Sequence, residues 1–233
     1  MLAIHEIALF DGLDPAAMAE IVQAMIVRDY DTGQTIIDTE DTSQDLFCVL
    51  AGRLQVKRYS QSGQEVVYLD VGEGSVVGEF AAIDGQGRAA DVVAGSPVRI
   101  ARLRGEAFRQ ILLRHPRLGF NLSVHLVRKI RELSTRVFEF SVYPVPIRIR
   151  KVLLRLAEQT RATGGIRAIR PAPTHYELAA MTATHREAVT RELASLAAQG
   201  VLRTGRQTID VLDMPRLIAL AGPDDEIDMG GFS

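Results

Sequence analysis

One cysteine in 233 residues leaves Cys48 nothing to pair with inside its own chain. A lone thiol excludes an intramolecular disulfide and a cysteine-ligated iron–sulfur cluster, and it agrees with a reducing compartment. Long apolar runs are also missing: no stretch approaches the roughly 20 residues of a membrane-spanning helix. The first apolar residues are interrupted by His5, Glu6 and Asp11, unlike a secretory signal. The expectation is a cytoplasmic protein with no membrane partner. Spacing for a catalytic triad or a metal site is lacking among the histidines and carboxylates, and five scattered histidines offer no recognisable axial pair for haem. The chain therefore reads as a non-enzyme without metal, haem or cluster. What is present, 47% hydrophobic and 24% charged residues, is enough for two ordinary globular cores.

The net charge of −2 becomes informative once divided along the chain. Residues 1–142 hold 15 basic and 19 acidic groups, residues 143–221 hold 12 and 6, and residues 222–233 hold none and 4. A basic segment joined to an acidic body suits a protein in which one domain approaches phosphates and the other does not, although a solvated basic face has the same composition.

From Tyr30 to Leu103, short apolar or alternating runs are separated by glycines, as at Leu46–Leu50, Leu54–Val56, Val66–Leu69 and Val98–Leu103. Their spacing predicts a small antiparallel jelly roll. Leu46, Cys48 and Leu50 alternate, which places Cys48 as a buried strand thiol. Asp14 and Pro15 open a helix as cap and first-turn proline. After Pro116 the pattern turns helical. Leu126, Ile130, Leu133, Val137 and Phe140 recur at intervals of 4, 3, 4 and 3, a coiled-coil seam that predicts pairing with a second copy; packing against the β domain is the competing reading. Pro144 and Pro146 stop that helix and place a hinge at 141–145.

Thr174 to Glu177 and Thr184 to Glu187 read as two capping boxes ten residues apart, each opening a short helix. The first would bury Leu178 and Met181, the second Val189, Leu193 and Leu196, with a turn at Thr182–Thr184 and an end at Gly200: a helix-turn-helix. Glu187, Thr190 and Arg191 share the face opposite the apolar stripe, with Arg186 at its flank, which are the positions that enter a major groove. An arginine fork matches guanine O6 and N7, and a carboxylate accepts from the cytosine amino group. Residues 201–212 read as a wing hairpin with Arg206 at its tip, suited to phosphate. Thr174, His175, Thr184 and His185 sit at the two helix starts, where each histidine either donates to phosphate or is simply exposed. A structural helix pair with an incidental charged surface is the alternative.

Gly78, Glu79, Phe80 and Ala81, followed by Arg88, Ala89 and Ala90, set one carboxylate and one guanidinium beside a glycine-permitted turn. A phosphate-sugar ligand uses both groups; a surface ion pair has the same spacing.

On these residues the sequence resembles the cyclic AMP receptor protein/FNR (CRP/FNR) family of bacterial transcription regulators, its receptor branch above all, over about residues 5–212. The resemblance implies an α+β fold with four parts. These are an N-terminal β jelly-roll cyclic-nucleotide-binding domain at 1–115, a dimerisation helix and hinge at 116–142, a C-terminal winged helix-turn-helix DNA-binding domain at 143–221, and a disordered acidic tail at 222–233. It implies that Glu79 holds the ribose 2′-hydroxyl and Arg88 the cyclic phosphate. It further implies that Val56, Tyr68, Leu69 and Val71 line the pocket, and that Lys129 and Ser134 close it over the base. Ala89 stands where the receptor branch has serine, and Leu133 precedes Ser134 where that branch has threonine; Ala89 tilts the ligand toward cAMP, with cGMP open. Arg186, Glu187 and Arg191 match the receptor's recognition helix, implying palindromic TGTGA-like sites on double-stranded DNA, a homodimer and RNA polymerase as partner. A member that binds DNA without nucleotide, and a regulatory subunit that binds no DNA, are the competing functions.

Overall fold

The computed structural model describes residues 2–59 and 65–222, with the backbone alone at 58–59 and 65–70. All of the acidic tail except Gly222 lies outside the described residues. The chain forms two compact units, residues 1–130 and 131–233.

In the first unit, Asp14 caps helix α1 (Pro15–Ala24), its carboxylate accepting from the backbone N–H groups of Ala16 and Ala17. Eight strands follow: β1 (Met25–Tyr30), β2 (Thr35–Ile37), β3 (Leu46–Ala51), β4 (Leu54–Tyr59), β5 (Glu65–Val71), β6 (Val76–Val77), β7 (Asp91–Ala94) and β8 (Val98–Leu103). They pair antiparallel in two four-stranded sheets, ordered β1-β8-β3-β6 and β2-β7-β4-β5. Strand β3 departs from simple alternation because both of its faces are covered. Leu46, Cys48 and Leu50 enter a core shared with helices, while Phe47 and Val49 enter the core between the sheets. Burial pushes the Cys48 thiol up to about 12. Helix α3 (Gly105–Arg114) lies in a stretch expected only to belong to the β domain; Phe108 and Ile111, three apart, bury its inner face.

Helix α4 spans Pro116–Val142. Leu118 and Leu122 are buried on the first core, and Leu126 packs against it. Leu126, the first residue of the expected seam, is half-buried. Ile130, Leu133, Val137 and Phe140 are exposed at 57%, 56%, 63% and 39%. Phe120, Val124 and Val127 are the exposed apolar residues nearer the helix start. A straight helix drifts by about 20° per heptad, so one row of heptad positions does not keep one exposure along 27 residues.

The second unit begins with the last turns of α4. The chain leaves the helix at Tyr143, and Pro144 is the N-cap of α5 (Val145–Glu158), with Pro146 in its first turn. Arg155 donates twice to Glu139, Arg148 lies 5.3 Å from the Phe140 ring centre and Lys151 lies 4.8 Å from that of Tyr143. These contacts brace the corner on both sides of the prolines. Helices α6 (His175–Met181), α7 (Arg186–Ala198) and α8 (Met214–Ala221) pack with α5. They enclose a core containing Ile149, Leu153, Leu178, Val189, Leu193 and Leu217. Strands β9 (Ala162–Thr163), β10 (Ile166–Ile169), β11 (Leu202–Gly205) and β12 (Thr208–Val211) form an antiparallel sheet ordered β11-β12-β10-β9. Among the described residues no helix is long and apolar enough to cross a membrane.

Candidate functional site

The sequence cassette folds around one glycine. Gly78 follows β6 with φ +81°, and a Cβ there would stand 2.7 Å from the Asp45 carbonyl oxygen and 2.8 Å from Arg88 Nη1. Conformation and space both require glycine at this position. It delivers the chain into helix α2 (Glu79–Asp84), whose start no side chain caps.

Arg88 folds back over this turn and is only 8% exposed. Its Nη1 donates to the carbonyl oxygens of Asp45 (3.0 Å) and Gly78 (3.3 Å), and its Nη2 to Ser43 Oγ (2.9 Å). Its Nε is buried without a hydrogen-bond partner. The guanidinium is 5.6 Å from the Phe47 ring centre. Burial lowers the Arg88 pKa, with Asp45 and Asp41 acting against that shift. The Asp45 carboxylate itself is occupied by Arg102 and the Gly105 N–H. The result is a held, desolvated cation that hydrogen-bonds neutral oxygens, an arrangement suited to an anion.

Glu79 is 3% exposed and accepts from Lys129 Nζ at 2.5 Å; the same ammonium lies 5.7 Å from the Phe80 ring centre. Gly78, Glu79, Arg88 and Lys129 are thus brought together by β6, α2, the following loop and α4. Phe80 is exposed and Ala81 is buried, while Ala89 is exposed and Ala90 half-buried. Val71 belongs to the core between the sheets and Val56 packs against it. The side chains of Tyr68 and Leu69 lie outside the described residues, although the backbone of Leu69 pairs with Val56. Ser134 is on α4 in the second unit. Ser43, Asp45 and Arg102 join the site without a mark in the sequence. Asp41 accepts from the Ser43 N–H and hydroxyl, a turn legible at two-residue spacing, but the bond from Arg88 spans 45 residues and leaves no local pattern.

In the second unit, Thr174 forms the expected capping box: its hydroxyl accepts from the Glu177 N–H and Glu177 accepts from the Thr174 N–H. The second box does not form. The cap of α7 is His185, without a side-chain bond, because Thr184 N–H is already given to the Ala179 carbonyl across a turn in which Ala183 takes φ +47°. Glu187, Thr190 and Arg191 are exposed on α7 away from buried Val189, Leu193 and Leu196, with exposed Arg186 at the flank of that stripe. His175 on α6 reaches α7, its Nδ1 lying 2.8 Å from Thr190 Oγ1. His185 is exposed. The β11–β12 hairpin turns at exposed Arg206 and Gln207, the latter at φ +54°. At its base Asp210 accepts from Arg203, Arg170 and Thr208. These bonds, Arg203's first, hold its carboxyl below the usual range and fix two largely exposed arginines beside the wing.

Residues 27–115 match the cyclic nucleotide-binding domain family, and residues 147–220 the Crp-like helix-turn-helix domain family. The cyclic AMP receptor protein of Thermus thermophilus is 32% identical over 213 residues, covering 91% of this chain and 96% of that protein. The CRP-like cAMP-activated global transcriptional regulator of Mycobacterium tuberculosis is 25% identical over 211 residues, covering 90% and 94%. The crystal structure of Thermus thermophilus catabolite activator protein is 30% identical with a TM-score of 0.53, covering 92% of this chain and 98% of that one. With a buried-arginine cassette in one unit, a winged helix pair in the other and relatives matched over nearly their whole length, the chain belongs to the CRP/FNR family of cyclic-nucleotide-binding, DNA-binding transcription regulators.

Proposed function

We propose that this protein is a homodimeric regulator that binds cAMP and, in response, palindromic DNA with TGTGA-like half-sites. The observation that carries the ligand reading is Arg88. It is a buried guanidinium with an unpartnered Nε, held on neutral oxygens beside the buried carboxylate of Glu79. A cyclic phosphate satisfies the cation, and a ribose 2′-hydroxyl donates to the carboxylate. Lys129 and Ser134 are assigned to the closing of the site, and Ala89 favours cAMP over cGMP. The relatives from Thermus thermophilus and Mycobacterium tuberculosis carry cAMP in their names, which supports the same choice.

On the DNA side, Arg186 reads guanine, Glu187 accepts from a cytosine amino group, Arg191 reads a second guanine, and Arg206 meets phosphate. Half-buried Leu126 and exposed Ile130, Leu133, Val137 and Phe140 form the seam between two copies. The functional boundaries are 1–115, 116–142 and 143–221, and RNA polymerase is the partner at the promoter. Coupling between the two ligands is a difference in nucleotide affinity between DNA-competent and DNA-incompetent arrangements, of order 1–3 kcal/mol.

The test is binding of labelled TGTGA palindromes by the full-length protein alone, with cAMP and with cGMP. Affinity should rise about fivefold to 150-fold with cAMP. Equal affinity in all three conditions refutes the ligand response, which is also the outcome expected of a nucleotide-independent regulator. No affinity for any TGTGA palindrome refutes the site assignment. Leu133→Asp should halve the mass in solution; an unchanged dimer refutes the seam.

A further inference from the structure

The Thr190 hydroxyl has two neighbours and a single proton. Oγ1 lies 2.9 Å from the carbonyl oxygen of Arg186, one turn earlier on α7, and 2.8 Å from His175 Nδ1. A carbonyl oxygen accepts only, so the hydroxyl proton goes to Arg186. His175 Nδ1 must then be the donor, because a second lone pair facing Oγ1 would be repelled by it. This assignment fixes the imidazole with its proton on Nδ1, and it removes hydrogen-bond donation from what Thr190 can offer a base. Thr190 is nevertheless exposed, on the same face as Arg186, Glu187 and Arg191.

With the oxygen turned back toward the helix and clamped by α6, the Cγ2 methyl is the recognising group. We propose that Thr190 is a specificity residue that reads thymine through contact between its methyl and the C5-methyl of the base, and that His175 is the positioning residue that holds it in that rotamer. The inference rests on the assignment of α7 to the major groove. In that groove the thymine methyl is the apolar mark that distinguishes thymine from the other bases. Valine has the shape of threonine, with a methyl in place of the hydroxyl. Serine keeps the hydroxyl and loses the methyl. The two variants therefore separate apolar from polar reading on one exposed position where neither disturbs the core.

The experiment selects palindromic duplexes from a randomised library with the full-length protein and cAMP, for wild type, Thr190→Val, Thr190→Ser and His175→Ala. Wild type and Thr190→Val should select thymine at one fixed position of each half-site, and Thr190→Ser should lose that preference while keeping the neighbouring guanine and cytosine. Replacing this thymine by uracil should weaken wild-type binding about fourfold per half-site, the size of one buried methyl, and leave Thr190→Ser unchanged. His175→Ala should broaden the base preference at that position, and adding Thr190→Val to it should restore thymine, a rescue that a merely structural role for His175 does not give. Loss of the preference in Thr190→Val with retention in Thr190→Ser overturns the proposal, since the hydroxyl is then the reader. Selected sites in which no variant changes a thymine preference also overturn it, while leaving the DNA-reading assignment intact. A library that yields no palindrome for wild type refutes that assignment itself.

Discussion

Replacing Arg88 by lysine keeps the charge and removes the fork. In the structure the two terminal nitrogens make three hydrogen bonds, to the carbonyls of Asp45 and Gly78 and to Ser43 Oγ, while Nε remains for a further acceptor. A lysine ammonium can retain part of this set from one point, but it cannot hold the cassette and face a phosphate in two directions at once. Hydrogen bonds to charged groups are each worth about 1.5–3 kcal/mol. Loss of one at the ligand then corresponds to about a tenfold to 150-fold rise in the dissociation constant for cAMP, measured by calorimetric titration. The ligand-free protein should lose only about 1–3 kcal/mol in chemical denaturation, because the residual ammonium still serves some of the buried carbonyls. At a cAMP concentration 100 times the wild-type dissociation constant, wild type should gain about 2.7 kcal/mol of stability, and Arg88→Lys at most about half of that. An Arg88→Lys variant that binds cAMP within threefold of wild type would refute the anion-site reasoning, whatever its stability.

Three further outcomes follow from the geometry. Gly78→Ala should destabilise the first unit by at least about 1–2 kcal/mol, the cost of a left-handed residue with a Cβ, and more for the approach to Asp45 and Arg88; a melting temperature equal to wild type contradicts it. The Asp210 carboxyl titrates below the ordinary 3.8 because Arg203, Arg170 and Thr208 hydrogen-bond it. Its contribution is therefore present above that range and lost as pH falls through the folded value. Asp210→Asn should show a smaller drop in stability between pH 5 and pH 3 than wild type, and parallel pH profiles count against the clamp. Cys48, fully buried and pushed up to about 12, should react with a thiol reagent only on unfolding; rapid labelling of the native protein contradicts its placement.

The features legible in the sequence are those whose cause is local. Thr174 and Glu177 cap one helix because both partners lie within one turn, and a two-residue turn at Arg206 and Gln207 joins strands whose apolar residues mark them. The second apparent box, at Thr184 and Glu187, has the same spelling but loses the Thr184 N–H to Ala179, a choice made by the path of the turn rather than by the four residues. Leu126 obeys the heptad, yet it is half-buried against the core of the β domain. The bonds that hold the cassette join Arg88 to Ser43 and Asp45, and Glu79 to Lys129, across 43 to 50 residues. No periodicity records such pairings; only the closed sheets bring them into reach.

The bond between Lys129 and Glu79 has a consequence for dose response. For a nucleotide read at Glu79, the ribose hydroxyl reaches a carboxylate that already has a cationic partner 2.5 Å away, so binding is an exchange or a sharing rather than a simple addition. The concentration at which the regulator responds then depends on the strength of an ion pair between α2 and α4 as well as on contacts to the ligand. On the proposed assignment, a substitution that weakens or strengthens this pair should shift the threshold while leaving Arg88's own hydrogen bonds unchanged.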